Sequence, residues 1–334
     1  MRKMKNRIGG ISVIVPGGLN TDIIGLGVSR ILKRGELTLG GELKIGPGGK
    51  SRNIAQMIAV LTGKNKVAML GRSCKDPFNL WKLPVEALKT AGVNTDYINI
   101  SEFRKTKKLP GIALIPIDKQ GNNQIYVFPG INNDFRTEDV ESALPLFKSA
   151  QKNSGLLVLS LELPLKTAIF SVKKANEYGM KVVLDPGGID GKINYAQLLN
   201  QKIFLLKPNE HETKILTGIK ITGASSARKA AGILMRREKI INVMITLGKR
   251  GAYLFTGSGM RRIYIPKINI SGVKDETGCG DQATATICAA LLEGKTLIEA
   301  AELAVLCGTI QFNRAGIVPV TKGELINERK RTRN

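Results

Sequence analysis

Histidine is almost missing from this chain of 334 residues, with His211 standing alone. One imidazole cannot build a Ser–His or Cys–His nucleophile pair with further histidine support. Flanked by Glu210 and Glu212, it reads as a surface residue. Cysteine is scarce as well: Cys74, Cys279, Cys288 and Cys307 include no Cys-x-x-Cys pair, which argues against a structural zinc site or a disulfide framework. Cys288 and Cys307 fall in apolar helical patterns and read as small core residues. Cys279 lies beside a helix start, where a thiol's pKa can drop, although inert packing is the expectation. No apolar run approaches the roughly 20 residues of a bilayer span. The apolar Ile11–Val15 follows a basic start, Met1–Arg7, but is shorter than an export signal and ends in Pro16-Gly17-Gly18. It reads as a first buried strand, and a cytoplasmic location is expected. Aromatics make up only 5% of the chain, and Trp81, the one tryptophan, is expected to pack near Pro84.

Acidic residues are also few: 27 against 51 Lys and Arg, a net charge of +24. Such a surface attracts phosphates and nucleic acids. The positive charges are nevertheless scattered, over Met1–Arg7, Arg104–Lys108, Arg228–Lys239, Arg261-Arg262 and Arg329–Arg333, without an aromatic-interleaved stripe. They read as solvated faces, and nucleic-acid binding as incidental at most.

Strand and helix signals alternate along most of the length, as in a largely parallel sheet covered on both faces. Buried strands are expected at Ile11–Val15, Val67–Leu70, Leu156–Ser160, Val182–Asp185, Ile203–Lys207 and Val243–Leu247. Helical periodicity falls at Ser51–Leu61, Pro164–Tyr178, Glu210–Leu216, Ala224–Arg237, Gln282–Leu292 and Leu297–Phe312. Asp22–Ile45 and Gly111–Phe128 break the alternation, being rich in glycine and β-formers. They read as antiparallel strands outside the main sheet, a lid over its carboxyl edge. The expectation is a three-layer α/β sandwich over residues 1–325, with the small β lid inserted and a basic tail at 326–334.

Ligands of open α/β sheets bind beyond the carboxyl ends of the strands. Polar residues gather there: Asn20, Asp22, Glu162, Asp185, Asn209, Glu212, Thr246, Gly248 and Lys249. Gly46-Pro47-Gly48-Gly49-Lys50-Ser51-Arg52-Asn53 resembles the end of a P-loop, but Lys44 occupies the position of that motif's first glycine. The glycines instead permit close backbone approach to a ligand, with Lys50 and Asn53 as donors to sugar hydroxyls. A glycine turn with a capping Ser51 explains the stretch equally well in isolation.

The most informative stretch is Asp275-Glu276-Thr277-Gly278-Cys279-Gly280-Asp281, followed at once by an apolar helix. Its glycines let backbone N–H groups converge at a helix N-terminus, where an anion is favoured. Asp281 then sets a carboxylate beside that anion site. The pairing suits phosphoryl transfer, with the carboxylate taking a proton from an attacking hydroxyl. An ordinary Asp cap behind a glycine turn is the plainer alternative.

Taken together, Gly48–Ala55 and Asp275–Asp281 resemble the two signatures of the ribokinase (phosphofructokinase-B) family of carbohydrate kinases. Weaker matches lie between them in the family's order: Asn20-Thr21-Asp22, Leu161-Glu162, Pro208–Glu212 and Thr246–Gly251. The resemblance implies an ATP- and magnesium-dependent kinase acting on O5 of D-ribose, or on a nucleoside, deoxyribose or fructose. Asp281 would be the base, and the amides of Gly278, Cys279 and Gly280 the anion hole. Asn20, Asp22, Gly48, Gly49, Lys50, Asn53 and Glu162 would hold the sugar. Asn209, Glu212, Thr246, Gly248, Lys249 and Gly251 would meet the nucleotide and its magnesium. The resemblance also implies a potassium ion at Asp275, Thr277, Gln311, Arg314 and Gly316, with Val320 in place of a hydroxyl ligand. It further implies a homodimer through the lid strands. Low aromatic content argues against a slot for a nucleoside base. Arg52, where ribokinases carry a small residue, is expected on the solvated outer face of its helix.

Overall fold

The computed structural model describes residues 9–236, 239–268 and 274–331. The basic start, the final residue of the expected Ala224–Arg237 helix and the last three residues of the tail lie outside the described residues.

Thirteen strands are described: β1 Val13–Pro16, β2 Asn20–Val28, β3 Glu42–Gly48, β4 Val67–Lys75, β5 Ile98–Glu102, β6 Gly111–Asp118, β7 Tyr126–Phe128, β8 Leu156–Leu159, β9 Lys181–Leu184, β10 Ile203–Leu206, β11 Ile240–Thr246, β12 Ala252–Thr256 and β13 Gly259–Ile263. Nine of them form one sheet in the order β13-β12-β11-β10-β9-β8-β1-β4-β5. From β5 to β11 every pairing is parallel, and β12 and β13 add an antiparallel hairpin at one edge. Parallel strands buried on both faces need continuous apolar runs, and β1, β8 and β10 consist of them.

Strand alternation sends neighbouring side chains to opposite faces. Ile14, Leu157 and Leu159 point into one core, with Val172, Ala230 and Phe147. Val13, Val15 and Val158 point into the other, with Ile58, Ile287 and Cys288. The second core rests on three helices, Lys50–Thr62, Cys279–Leu292 and Leu297–Phe312. Alanines line the last two (Ala285, Ala290, Ala300, Ala301, Ala304), letting them pack closely. Truncating a large side chain in this layer, such as Ile58→Ala, is expected to cost about 2–5 kcal/mol. Trp81 packs against it as a partly buried residue.

The lid is a separate four-stranded sheet, β3-β2-β6-β7. Its outer pairs are antiparallel, and its central pair, β2 with β6, runs parallel. The parallel pair follows from connectivity, because the chain returns to the main sheet between β3 and β6. Ile45, Ile23, Leu114 and Tyr126 stand opposite one another across all four strands, and therefore on one face. Asp22 alternates to the other face, toward the main sheet.

Lys322–Arg331 is a helix where the sequence suggested a tail. No described helix is long and apolar enough to cross a membrane.

Candidate active site

The site forms where the lid, the start of the Lys50–Thr62 helix and the start of the Cys279–Leu292 helix meet. Gly49, with φ at 92°, swings the chain from β3 directly into the first helix. This aims Lys50 and Asn53 at the N-terminus of the second. Asp281 occupies the first turn there and is buried. Lys50 Nζ lies 3.0 Å from Asp281 Oδ1, and Asn53 Nδ2 donates to Oδ2 at 2.8 Å. The backbone N–H of Lys50 donates to Glu162 Oε2 at 2.9 Å. The sequence-expected base and three of the expected sugar contacts are thus in one hydrogen-bonded cluster.

Its electrostatics follow from burial. The Asp22 carboxyl is pushed up to about 6, chiefly by burial, with Arg52 opposing and Asp281 adding to the rise. Burial likewise pushes Glu162 up to about 7, against the pull of Lys50. Lys50 is driven above the usual lysine range, first by Asp281 and then by Asp185 and Glu162. Carboxylates short of donors and one held ammonium suit a ligand rich in hydroxyls.

Two glycines leave room for side chains of the site. A Cβ at Gly48 would sit 1.8 Å from Asp22 Oδ1, and one at Gly187 would sit 2.2 Å from Lys50 Cε. Asn20 is held by Asn132, whose Nδ2 donates to Asn20 Oδ1 at 2.8 Å. Asn132 also accepts from the Leu19 N–H at 3.2 Å. Sequence reasoning missed this positioning residue, because it lies over a hundred positions away in a short 3-10 helix with no motif.

At the anion site, Gly278 takes a left-handed φ of 75° and the helix begins at Cys279. The Cys279 N–H donates to Glu276 O at 3.2 Å, so it is engaged within the turn and is not among the open donors. Among the described residues, the N–H groups of Gly278, Gly280 and Asp281 have no protein acceptor. Asp281 thus supplies a donor that sequence reasoning overlooked. The Cys279 thiol is pushed up to about 12, first by burial and then by Asp275 and Glu276. A raised thiol accords with the inert packing expected of this residue, and not with a lowering by the helix start.

Arg52 corrects a second expectation. It is fully buried, not solvated. Nε donates to Gly48 O at 3.3 Å and a terminal nitrogen to Pro47 O at 2.7 Å. The guanidinium also donates to Asn53 Oδ1 and Gln56 Oε1. Burial lowers it to about 10, with Asp22 and Asp281 opposing. Its charge is accepted because carbonyls and amide oxygens surround it.

The nucleotide-side residues gather at the ends of β10 and β11. Asn209 and Glu212 close a reciprocal helix cap, each backbone N–H donating to the other's side chain at 2.8 Å. An isolated parallel bridge joins Asn209 to Thr246. Gly248 and Lys249 lie exposed on the turn that follows, and Gly251 closes it with φ at 80°. His211 is exposed. Between the two halves sits an ion pair the sequence had not paired: Lys207 Nζ lies 2.9 Å from Asp185 Oδ2, both buried. Thr284, one turn beyond Asp281, donates to the same oxygen at 2.7 Å. Burial works to raise Asp185, but Lys207, Lys50 and Thr284 outweigh it and hold the carboxyl at about 2. Glu212 is raised by burial and by the charge of Asp185.

Around Asp275, Oδ1 accepts from Thr277 N and Oδ2 from Gly316 N, both at 2.8 Å. Arg314 points away to Val318 O and Pro319 O, at 3.2 and 3.3 Å. Gln311, fully buried, donates from Nε2 to Gly316 O at 2.6 Å and to Thr277 O at 3.2 Å.

This arrangement can bind a polyol beside a carboxylate, and a phosphate at a helix start. Comparison with known proteins agrees. Residues 11–320 match the pfkB family of carbohydrate kinases. A ribokinase of Schizosaccharomyces pombe is 28% identical over 317 residues, covering 92% of this chain and 93% of its own. A deoxyribokinase of Salmonella typhi is 28% identical, covering 81% and 82%. The structure of Arabidopsis thaliana ribokinase complexed with ribose and ATP superposes with a TM-score of 0.79 at 26% identity, covering 95% of this chain and 98% of that one. The family match spans nearly the whole described sheet, lid and site, and the chain belongs to the pfkB carbohydrate kinases, as an ATP-dependent sugar kinase.

Proposed function

We propose that the sugar is D-ribose, phosphorylated on O5 with the γ-phosphoryl group of ATP. The observation that carries this reading is the Lys50–Asp281–Asn53 cluster, with Asp22 and Glu162 beside it and open backbone donors one residue away. Lys50 and Asn53 fix the Asp281 carboxylate from two sides, leaving it no freedom to turn from a hydroxyl placed between it and the anion site. Asp281 takes the O5 proton as the O5–phosphorus bond forms and the bond from the γ-phosphorus to the ADP oxygen breaks. The open N–H groups of Gly278, Gly280 and Asp281 receive the charge on the transferred group. Asp22 and Glu162 accept from sugar hydroxyls, and Asn20, Gly48 and Gly49 line the same side. Asn209, Glu212, Thr246, Gly248, Lys249 and Gly251 face the nucleotide.

The donor set suits magnesium: Asp185 and Glu212 are buried carboxylates that repel each other at one strand edge. Magnesium keeps most of its waters, so these two would hold it through water and at the phosphates. When bound, it neutralises phosphate charge.

The exposed lid row of Ile45, Leu114 and Tyr126, continued by Phe128, fits a second copy of this chain. A homodimer through the lid is part of the proposal.

The test is ADP release with ribose, deoxyribose, fructose and nucleosides. Ribose is expected to give the highest kcat/KM, and Asp281→Asn to lower its kcat by about 10²–10⁴-fold. A higher kcat/KM on deoxyribose, or on any nucleoside, overturns the ribose reading.

A further inference from the structure

Two of the carbonyls that the family resemblance assigns to potassium, those of Thr277 and Gly316, are already occupied by a side chain. A potassium site of this kind is a ring of main-chain oxygens that replace the ion's hydration shell. Here the oxygens of Thr277 and Gly316 converge on one atom, Gln311 Nε2, at 3.2 and 2.6 Å. A primary amide carries two N–H donors, and both are used. Gln311 is fully buried, and among the described residues its Oε1 has no partner.

The amide can face the two carbonyls either way round. With Nε2 inward it satisfies both oxygens and leaves only Oε1 without a donor among the described residues. With Oε1 inward, three acceptors would meet with no donor among them, an arrangement that needs a cation. The two orientations therefore exclude each other, and this chain adopts the first. A second observation points the same way. Val320, also fully buried, stands where the resemblance expects a hydroxyl ligand, and its backbone N–H is committed to Gln282 Oε1 at 2.9 Å. The Asp275 carboxylate is already shared between the Thr277 and Gly316 N–H groups.

We infer that the Gln311 side-chain amide takes the place of the potassium ion beside the anion hole. It holds the Thr277 and Gly316 carbonyls by donation and makes the kinase independent of monovalent cations. This goes beyond the ribose reading and does not depend on it, since the assay sugar is whichever one the wild type phosphorylates.

The experiment compares wild type with Gln311→Ala in potassium chloride and in choline chloride at equal ionic strength, by kcat and by thermal unfolding midpoint. The wild type is expected to show the same kcat and the same midpoint in both salts. Gln311→Ala opens the space, so its kcat is expected to fall by about tenfold in choline and recover in potassium. Its midpoint is expected to rise with potassium, and adding Val320→Ser should enlarge both responses. A wild-type kcat that drops tenfold or more in choline, or a wild-type midpoint raised by potassium, overturns the inference. The wild-type measurement decides alone if the variant fails to fold.

Discussion

Arg52 donates to the side-chain oxygen of Asn53, which leaves Asn53 one way to face Asp281: its Nδ2 toward the carboxylate, at 2.8 Å. Turned the other way, the amide would set oxygen against oxygen. Arg52 touches neither reacting group, yet it sets the geometry of the base through a neighbour.

Arg52→Met is therefore expected to lower kcat/KM for the sugar by about 10²-fold, and Arg52→Lys by nearly as much, because an ammonium lacks the planar fork. The check is a double-mutant cycle with Asn53→Ala. If Arg52 acts through Asn53, removing it in the Asn53→Ala background changes kcat little. Additive losses would refute this role.

Gly48 and Asp22 cannot both keep their places once Gly48 carries a methyl group, given the 1.8 Å approach. Gly48→Ala is expected to displace the Asp22 carboxylate and raise the sugar KM by about tenfold or more. The KM for ATP should stay as in the wild type. Steady-state kinetics with each substrate varied in turn distinguishes a local displacement from a general loss of fold.

Sugar affinity is expected to depend on pH. Asp22 and Glu162 are pushed up to about 6 and about 7, above their ordinary values of 3.8 and 4.5. Hydroxyls donate to the ionised forms, so the sugar KM should fall as pH rises from 5 to about 8 and level off there. The sign for stability is opposite. An acid whose folded pKa exceeds its unfolded pKa favours the protonated fold, so the ligand-free protein should lose stability as pH rises through about 4 to 7. Binding calorimetry in two buffers of different ionisation enthalpy should detect net proton release on sugar binding at pH 6. A pH-independent KM would contradict the burial of these two groups.

Lys207 and Asp185 are buried together, and removing one strands the other. Lys207→Met is expected to cost about 3–5 kcal/mol of stability by urea unfolding, whereas Lys207→Met with Asp185→Leu should recover much of it. Asp185 sits at about 2, so the pair's contribution should vanish as pH falls through about 4 to 2.

Much of the architecture could be read in advance because parallel strands need unbroken apolar runs. Leu156–Leu159 and Ile203–Leu206 announce themselves in this way. The site was legible where glycine and carboxylate share a motif, as at Gly278–Asp281. Other features had signals that went unread. Thr321 and Glu324 form a capping box, Glu324 Oε2 accepting from Thr321 N at 2.8 Å, which marks the start of the last helix. Gly257-Ser258 is a two-residue turn joining β12 to β13. Arg52 had no such signal, because its partners include carbonyls of the preceding strand end, and an arginine on a helix is ordinarily solvated. The Lys207–Asp185 pair joins two strands through the sheet order, which composition and spacing do not encode.

The parallel pairing of β2 with β6 has a mechanical consequence. A hairpin flap would swing on one pivot, but this plate is stitched to the body at four crossings, on either side of each inserted pair. Moving it away from the body therefore requires the chain to bend at four joints, where a hairpin flap would need one.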